Sequence, residues 1–389
     1  MGALNGVNIL DFSTLLPGPY ATMVLADLGA EVIKISNKER KDLLENWPPI
    51  LKNGNVSAPW AWVNRNKKSI FLNLKKKAGV DVVKKLVNDY DIIIEQFRPG
   101  VMNQLGIGYD DLKVINPRLI YCSLTGYGQT GPMAKKAGHD INYLSRSGII
   151  SAAGKSDSGP SLYNFQIADI ASGAMNVIAG VLAALHYRDV TGKGQYIDIA
   201  MTDGVIPFNS MDGICFLAGA QAPQREKQPL NGGGIYDFYE TKDGQYMSVG
   251  SLEPKFFSQL CIGMGHPEWS DGKMLKSDSN LIKETFRKIF LSKSRDEWIK
   301  IFKDLDACVE PVLSLEEAVK DEHNNLREMW VDVPIATTPE KSIKQMGCPI
   351  KLSECPAEYH YSGFPAGYHT EKILKKLGYK DEEIKHIIE

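Results

Sequence analysis

The N-terminal half of the chain alternates short apolar runs with longer segments in which apolar residues recur every three or four positions. Short apolar runs are typical of buried β-strands, and the longer period is typical of helices. This alternation indicates βαβ units that form a parallel sheet with helices on both faces. Strands are predicted at 7–12, 31–35, 69–72, 91–95, 119–124 and 195–199, and helices at 19–28, 79–88 and 170–187.

The pattern changes after about residue 210, where Gly, Ala, Pro and Gln become frequent. Asn231-Gly232-Gly233-Gly234 predicts a mobile loop, and Lys242-Asp243-Gly244 predicts a hairpin turn. A second, smaller domain is therefore expected to begin here. Its predicted elements are strands at 235–240 and 246–249 and helices at 254–263, 281–291 and 295–305, followed by loops around 339–365 and a charged helix at 371–377.

Composition narrows the class of protein without identifying a function. A length of 389 residues favours two domains, and a net charge of −2 gives no basic footprint for nucleic acid or an anionic membrane. No apolar run approaches the roughly 20 residues that cross a bilayer, and no leader peptide is apparent. We expect a cytoplasmic protein that binds neither nucleic acid nor membrane. Its six scattered cysteines predict reduced thiols and no metal site.

Three loops follow predicted strands at the edge where parallel sheets bind ligands. They are residues 13–19, 96–100 and 125–130. A dinucleotide-binding enzyme would show G-x-G-x-x-G in the first loop, but that loop contains only Gly18. The sequence therefore argues against a nicotinamide enzyme. Pro17-Gly18-Pro19 either lets a ligand approach the backbone or forms a rigid turn.

Two candidate proton carriers flank a Gly/Ser-rich turn. His139 precedes the turn, and Asp169 follows it at the predicted start of a long apolar helix. Histidine titrates near neutrality, and an Asp at a helix N-terminus lies among free N–H groups, so both could handle protons or acyl groups. The alternatives are a structural histidine and a helix N-cap.

Basic residues also lie at the predicted rim, where they could clamp the phosphates of an extended anionic ligand. They occur in 64–69, at Lys75 and at Arg98. For Lys67 and Lys68 a solvated surface is the alternative interpretation. Arg98 is more informative, since it directly follows an apolar strand and lies between Phe97 and Pro99-Gly100.

These segments resemble one known family over nearly the whole chain. The chain is similar to the family III CoA-transferases (the CaiB/BaiF superfamily) and, within them, to the α-methylacyl-CoA racemases. The matching segments are 11–19, 27–35, 64–69, Phe97-Arg98-Pro99-Gly100, Gly126-Tyr127-Gly128-Gln129-Thr130-Gly131-Pro132, 191–195, Glu371 and 377–379.

The resemblance implies an α/β fold with a Rossmann-like, CoA-binding large domain, a smaller α+β domain and an interlocked homodimer. The implied division is 1–205 for the first part of the large domain, 206–330 for a linker and the small domain, and 331–389 for a return linker and the C-terminal part of the large domain. The implied substrate is a coenzyme A thioester, with no permanently bound cofactor.

The superfamily contains two chemistries, and the resemblance implies residues for both. In transferases an aspartate matching Asp169 is a nucleophile that forms an acyl anhydride. In racemases it is a proton carrier paired with a histidine matching His139, which a glutamate matching Glu253 orients; Glu253 could alternatively cap a surface helix. Racemisation also needs donors for an enolate oxyanion, which the helix N-terminus at Asp169 could supply.

The presence of all three residues favours the racemase, with the transferase as the alternative and a non-catalytic acyl-CoA-binding protein as a third. Leu16 agrees, because formyl-CoA-type transferases have glutamine there. Ser36 departs from the glutamate usual in the family, and the acyl group and the role of Asp140 stay open. The predicted substrate- and CoA-binding residues are Leu16, Pro17, Lys38, Asn64, Lys68, Leu72, Lys75, Phe97, Arg98, Tyr127 and Gly138.

Overall fold

A computed structural model of the chain describes residues 1–276 and 279–389. The strands are β1 (Asn8–Asp11), β2 (Glu31–Ser36), β3 (Lys67–Phe71), β4 (Ile92–Glu95), β5 (Ile120–Thr125), β6 (Gln195–Ala200), β7 (Asp237–Glu240), β8 (Tyr246–Val249), β9 (Val309–Pro311), β10 (Trp330–Ile335) and β11 (Thr338–Met346).

Helices of different lengths connect these strands. The α-helices are α1 (Pro17–Asp27), α2 (Ala58–Val63), α3 (Lys77–Leu86), α4 (Val101–Gln104), α5 (Tyr109–Leu112), α6 (Asp140–Arg146), α7 (Met175–Thr191), α8 (Met201–Val205), α9 (Ser210–Leu217), α10 (Pro254–Met264), α11 (Ser279–Phe290), α12 (Arg295–Phe302), α13 (Leu315–Lys320), α14 (Glu322–Leu326), α15 (Thr370–Lys376) and α16 (Asp381–Ile388). Short 3₁₀ helices lie at Leu43–Asn46, Ile149–Ala152, Ile206–Asn209, Pro267–Trp269 and Lys273–Lys276, and a π-helix spans Ile167–Ala174.

The predicted parallel sheet is confirmed. Six strands pair in the order β3-β2-β1-β4-β5-β6, and every pairing is parallel. Leu10 of β1 lies between Ile33 of β2 and Ile93 of β4. Since helices cover both faces of such a sheet, its strands are apolar at successive positions, as the buried run Ile92-Ile93-Ile94 shows. The strand order reverses between β1 and β4, which places a ligand crevice at their carboxyl ends.

The C-terminal segment covers the outer edge of this sheet at β3. The N–H of Ser69 donates to Nδ1 of His369 at 3.1 Å, and the N–H of His369 donates back to the Ser69 carbonyl at 2.8 Å. The N–H of Phe71 donates to Oγ1 of Thr370 at 2.9 Å. An edge strand left open would template pairing with another chain, so this cover protects the fold.

One prediction for the C-terminal region was wrong, and another was confirmed but incomplete. Residues 339–365 were predicted as loops, but β10 and β11 form an antiparallel hairpin that reaches Met346. The charged helix at 371–377 is present as α15, and a second helix, α16, follows it. In β11 most side chains are exposed and polar, so the strand has no apolar alternation that a sequence pattern could detect.

The chain divides into two compact units. The first comprises residues 1–147, 165–207 and 322–389, and the second comprises 148–164 and 208–321. The domain division that the resemblance implies places 148–164 in the large domain, whereas the structure places this segment in the second unit. Ion pairs explain the difference, because Nζ of Lys155 lies 3.0 Å from Glu226 and 3.1 Å from Asp237.

The second unit has its own small sheet and aromatic core. Strands β7, β8 and β9 form a three-stranded antiparallel sheet. Buried rings of Tyr239, Phe286, Phe290 and Trp298 pack together beside it. The fold is therefore a mixed α/β protein in which a parallel sheet and smaller antiparallel sheets coexist.

The helical stretch Ile167–Thr191 differs from expectation in two ways. It begins as a π-helix and continues as α7, although a single α-helix was predicted. By length and composition it is also one helix that could cross a membrane, contrary to the expectation that no apolar run is long enough. One such helix is weak evidence for a membrane span, because core helices pass the same test.

Candidate active site

The β1–α1 loop is held against the β4–α4 loop at the point where the strand order reverses. The N–H of Gly18 donates to Oε1 of Gln96 at 3.3 Å. A Cβ on Gly18 would lie 2.2 Å from Cβ of Ser13, so only glycine fits this position. The single glycine of the loop is therefore required by close packing.

A buried cluster of charges supports this loop. Oδ1 of Asp11 accepts from the N–H of Ser13 at 2.9 Å, and Nζ of Lys67 lies 3.2 Å from Asp11 Oδ2 and 2.9 Å from the Pro19 carbonyl. Lys34 lies on the other side, with Nζ 3.7 Å from Asp11. Burial alone would raise the pKa of Asp11, but the two lysines and hydrogen bonds outweigh burial and lower it.

This cluster corrects the interpretation of the basic segment 64–69. Arg65 and Lys67 are fully buried, and Arg65 forms a bidentate ion pair with Asp27 in which Nε lies 2.9 Å from Oδ1. Burial lowers the pKa of Lys67 to about 8 although Asp11 opposes the shift. Neither side chain is free to clamp a phosphate. Both instead hold the sheet, α1 and the first loop together.

The start of α6, which carries His139 and Asp140, contacts the start of the π-helix, which carries Asp169, through Asp140. His139 directly precedes α6, and its N–H donates to Oδ1 of Asn142 at 3.0 Å. Asp140 begins α6, and its Oδ1 accepts from the N–H of Asp169 at 3.0 Å. The imidazole of His139 is exposed, while Asp169 is half-buried. Asp140, whose role the sequence left open, thus anchors the backbone that carries Asp169.

Among the residues that the structure describes, no cation offsets the effect of burial on the carboxyl of Asp169. Burial and, to a lesser extent, the neighbouring Asp140 raise the pKa of Asp169 to about 7. A carboxyl with this pKa can accept and donate a proton near neutral pH. Perturbed carboxyls of this kind are concentrated at functional sites.

The local backbone at Asp169 is unusual. Asp169 lies in the first turn of the π-helix, a conformation that is rare and often occurs at functional sites. A helix N-terminus at this position predicts free N–H groups that could stabilise an oxyanion, but the N–H of Asp169 itself donates to Asp140. This donor therefore fixes the site, and it is not available to a substrate.

Tyr127 and Gly138 belong to the packing beside these residues. The rings of Tyr127 and Tyr143 meet edge to face, with centroids 5.2 Å apart. The hydroxyl of Tyr143 donates to the Gly138 carbonyl at 2.5 Å, and a Cβ on Gly138 would lie 2.6 Å from the Tyr143 ring. Glycine is therefore required at position 138, because a larger residue there would clash with the Tyr143 ring.

The other predicted CoA-binding residues differ in accessibility. Lys38, Lys75 and Arg98 are exposed, whereas Lys68 pairs with Glu31 at 2.8 Å. Leu16 and Phe97 are half-buried. The side chains of Pro17, Asn64 and Leu72 are buried, so in this structure they support the site and do not face solvent. The Ser36 hydroxyl is buried without a partner among the described residues.

Glu253 lies in the second unit. It is exposed and stands at the N-cap position of α10, but its side chain makes no capping hydrogen bond. This geometry does not support the alternative of a capping carboxylate. The orientation of His139 by Glu253 stays a prediction.

One further buried carboxyl was not singled out from the sequence. Glu95 ends β4, is 4% exposed and precedes the turn that carries Phe97 and Arg98. The available signal was a carboxylate directly after three isoleucines, a position where a polar residue must be buried. Among the described residues, no group of His, Cys, Asp and Glu side chains is placed to hold a metal ion.

Comparisons with known proteins identify the family to which the chain belongs. A profile of CoA-transferase family III matches residues 4–370. Human alpha-methylacyl-CoA racemase is 36% identical over 98% of this chain and 95% of its own length. Human succinyl-CoA:glutarate CoA-transferase is 31% identical over 99% of this chain and 88% of its own length.

Solved structures give the same result. The crystal structure of a CAIB/BAIF family protein from Brucella suis superimposes with a TM-score of 0.83 and 26% identity, covering 97% of this chain and 99% of that one. The resemblance inferred from the sequence is therefore confirmed, and the family contains both racemases and CoA-transferases. The chain belongs to CoA-transferase family III and is an enzyme of the superfamily that joins these transferases with the acyl-CoA racemases.

Proposed function

We propose that the protein is an acyl-CoA racemase that inverts the α-carbon of a 2-methylacyl-CoA thioester and needs no permanently bound cofactor. The observation that carries this proposal is the carboxyl of Asp169, whose pKa is raised to about 7 beside His139-Asp140. A residue that removes a proton in one direction and returns one in the other works best with a pKa near the working pH.

The reaction balances without another reactant. One of the pair His139 and Asp169 removes the α-proton, and the C–H electron pair moves into the thioester to give an enolate. The other residue then protonates the opposite face of the α-carbon. The product is the other enantiomer, and the pair has exchanged its protonation states.

The relatives support a racemase, and they also leave the CoA-transferase as an alternative. A racemase relative shares 36% of its residues with this chain and a transferase relative shares 31%. In the transferase, Asp169 would attack an acyl-CoA carbonyl, release CoA thiolate and form an acyl anhydride. That nucleophile must be ionised, and a pKa of about 7 leaves a part of Asp169 protonated at neutral pH.

The deciding experiment uses one chiral 2-methylacyl-CoA and the protein alone in heavy water. We expect loss of optical purity together with deuterium at the α-carbon. Absence of exchange, combined with CoA transfer to a free acid and trapping of an acyl-enzyme at Asp169 by hydroxylamine, would instead establish the transferase.

Three variants separate the roles of the residues. His139→Ala should depress exchange strongly from one enantiomer and leave acyl-CoA binding nearly intact. Asp169→Ala should abolish both chemistries. Glu253→Gln should have a milder effect than either, as expected for a residue that only orients His139. Full racemisation by His139→Ala would show that the histidine is structural.

We further propose that the enzyme is a homodimer. The support is an exposed apolar face on α7, where Met175, Leu182 and Val190 are 39%, 37% and 73% accessible in the single chain. Contiguous apolar surface of this kind marks association sites. Sedimentation at decreasing concentration should show no folded, active monomer, and a monomer with full activity would refute the dimer.

A further inference from the structure

Glu95 lies at the end of β4, two residues before the predicted CoA-binding residue Phe97. Its Oε2 accepts from the N–H of Phe97 at 2.7 Å, and the Ser123 hydroxyl of β5 donates to its Oε1. Both carboxylate oxygens are therefore occupied by the protein. The side chain closes the turn that leads from the sheet to Arg98.

Further contacts hold the other end of this turn and the Phe97 side chain. The Arg98 carbonyl accepts from the N–H of Val101 at 3.1 Å, which joins the turn to α4. The Phe97 ring packs against the core of the parallel sheet. Arg98 itself is exposed, so its guanidinium is presented to solvent from a backbone fixed on both sides.

We propose that Glu95 is a positioning residue whose ionised carboxylate fixes the Phe97-Arg98 turn in the conformation that binds coenzyme A. This inference rests on the proposed acyl-CoA function, since it assumes that Arg98 contacts the CoA part of the substrate. Glu95 itself acts through the Phe97 N–H and touches no ligand.

The energetics of Glu95 argue for a role beyond stability. Among the described residues no Lys, Arg or His forms an ion pair with it, and burial raises its pKa to about 7 in spite of the bonds from Ser123 and Phe97. Asp11, one strand away, is buried beside two lysines, and its pKa is lowered. A buried carboxylate without a cation destabilises the fold when it ionises, whereas a neutral glutamine would not. A purely structural position gains nothing from the charge.

The surroundings of Glu95 determine when it ionises. Asp198 of β6 contributes to the raised pKa, and Tyr121 and Cys122 of β5 and Tyr196 of β6 also interact with the carboxyl. On the helical side, Arg98, Tyr109 and Asp110 line the same cavity of about 200 Å³ as Glu95. This cavity gives water and protons access to the carboxyl.

The sign of the pH dependence follows from the raised pKa. Above pH 7 Glu95 is charged, and the Phe97 N–H donates to a carboxylate, which is the stronger acceptor. As the pH falls through 7, Glu95 gains a proton and this bond weakens. CoA affinity should therefore decrease as the pH falls through 7. Folding stability should change in the opposite sense, because the raised pKa favours the protonated folded state.

The test compares Glu95→Gln with the wild type by calorimetric titration with CoA between pH 6 and 8.5. At pH 8 we expect Kd and KM to rise about fivefold to tenfold, since a charge-assisted hydrogen bond becomes a neutral one, while kcat stays within about twofold. The melting temperature should rise by about 2–4 °C. At pH 6 the two proteins should bind CoA with equal affinity. Comparing the two proteins at each pH removes the effect of CoA's own titration, because that effect is the same for both.

Asp198→Asn is the matched control. It removes a charge that raises the pKa of Glu95 and keeps an oxygen for the N–H of Gln129, which donates to Asp198 Oδ2 at 3.1 Å. The wild-type pH dependence should shift to lower pH in this variant, with affinity at pH 8 unchanged.

Other outcomes would overturn the inference. A lower melting temperature of Glu95→Gln with unchanged CoA affinity would make Glu95 structural. CoA binding that Arg98→Ala weakens and Glu95→Gln leaves unchanged would overturn the inference and spare the proposed function. A wild-type protein that does not bind CoA would overturn both.

Discussion

Two carboxyl clusters of the first unit differ in their surroundings: the supporting group around Asp11, which is fully buried, and the proton-exchange group around Asp169, which is half-buried. Asp11, under the β1–α1 loop, is enclosed by Lys34, Lys67 and hydroxyl donors, and its pKa is lowered. Asp169, at the start of the π-helix, has a carboxylate neighbour in Asp140, no cation of the described part of the chain offsets its burial, and its pKa is raised to about 7. Burial acts on both in the same direction, so the difference lies in the partners.

This difference in pKa separates carboxyls that support the structure from carboxyls that can take part in proton transfer. A carboxyl that stays ionised at every physiological pH can hold a loop but cannot exchange protons. A carboxyl near pH 7 can exchange protons but contributes little to stability as an ion. We therefore expect substitutions in the two groups to affect different measurements.

The largest expected effect is the loss of activity in Asp169→Asn. Amide replacement removes the proton carrier, so α-proton exchange should fall about 10³- to 10⁴-fold. Stability at pH 8 should be unchanged or higher, because a buried carboxyl with a raised pKa favours folding only below about pH 7. Heavy-water exchange and thermal melting check the two parts. A large loss of stability would place Asp169 with the supporting group.

Lys67→Met should show the reverse behaviour. It removes one cation from a fully buried pair, which should destabilise the protein by at least about 3 kcal/mol in urea unfolding. Lys68→Met at the next position is the control, since Lys68 pairs with Glu31 at the surface and should cost less than about 1 kcal/mol. Equal effects at both positions would contradict the assignment of Lys67 to support.

The pH profile gives a smaller, graded effect. For the enantiomer from which Asp169 removes the proton, kcat/KM should rise about tenfold per pH unit as the pH approaches about 7 from below, because Asp169 must be ionised to act as the base. Asp140→Asn should move this limb to lower pH, because it removes the nearby charge while its oxygen still accepts from the Asp169 N–H. An unmoved limb would show that Asp140 does not act electrostatically.

The smallest expected effect concerns the β1–α1 loop, which the supporting group around Asp11 holds in place. Leu15 has a φ of 60°, and its N–H donates to Oδ2 of Asp42 at 2.9 Å. Left-handed backbone costs an L-residue about 1–2 kcal/mol, so Leu15→Gly should be about 1 kcal/mol more stable than Leu15→Ala. Glycine is normally the less stable of the two, and the usual order in urea unfolding would show that the loop is not strained.

The sheet could be predicted from the sequence because its strands carry their own signal. Ile92-Ile93-Ile94 is apolar at successive positions, as strands covered on both faces must be. The hairpin of β10 and β11 carries no such signal. It is largely exposed and polar, so its pairing follows from tertiary context.

The candidate site was predictable in residue type but not in arrangement. His139 and Asp169 were identified, yet the contact of Asp140 with the Asp169 N–H joins positions 29 residues apart. The interpretation of the basic segment 64–69 as a phosphate clamp was wrong for the same reason, because the sequence does not show which side chains are buried. Lys67 and Lys68 look alike in sequence, and their alternating directions along β3 place one in a buried cluster and the other at the surface.

The cover on the edge of β3 has a consequence for the order of synthesis. Ser69 and Phe71 pair with His369 and Thr370, and Asn73 Nδ2 donates to the carbonyl of Glu389. A ribosome exposes β3 long before it makes these partners. The second unit is complete by residue 321, so it can fold at a stage when the β3 edge of the first unit is still uncovered. The nascent chain thus passes through a stage at which its N-terminal sheet needs shielding from other chains, and a truncation before His369 should convert that transient stage into a permanent one.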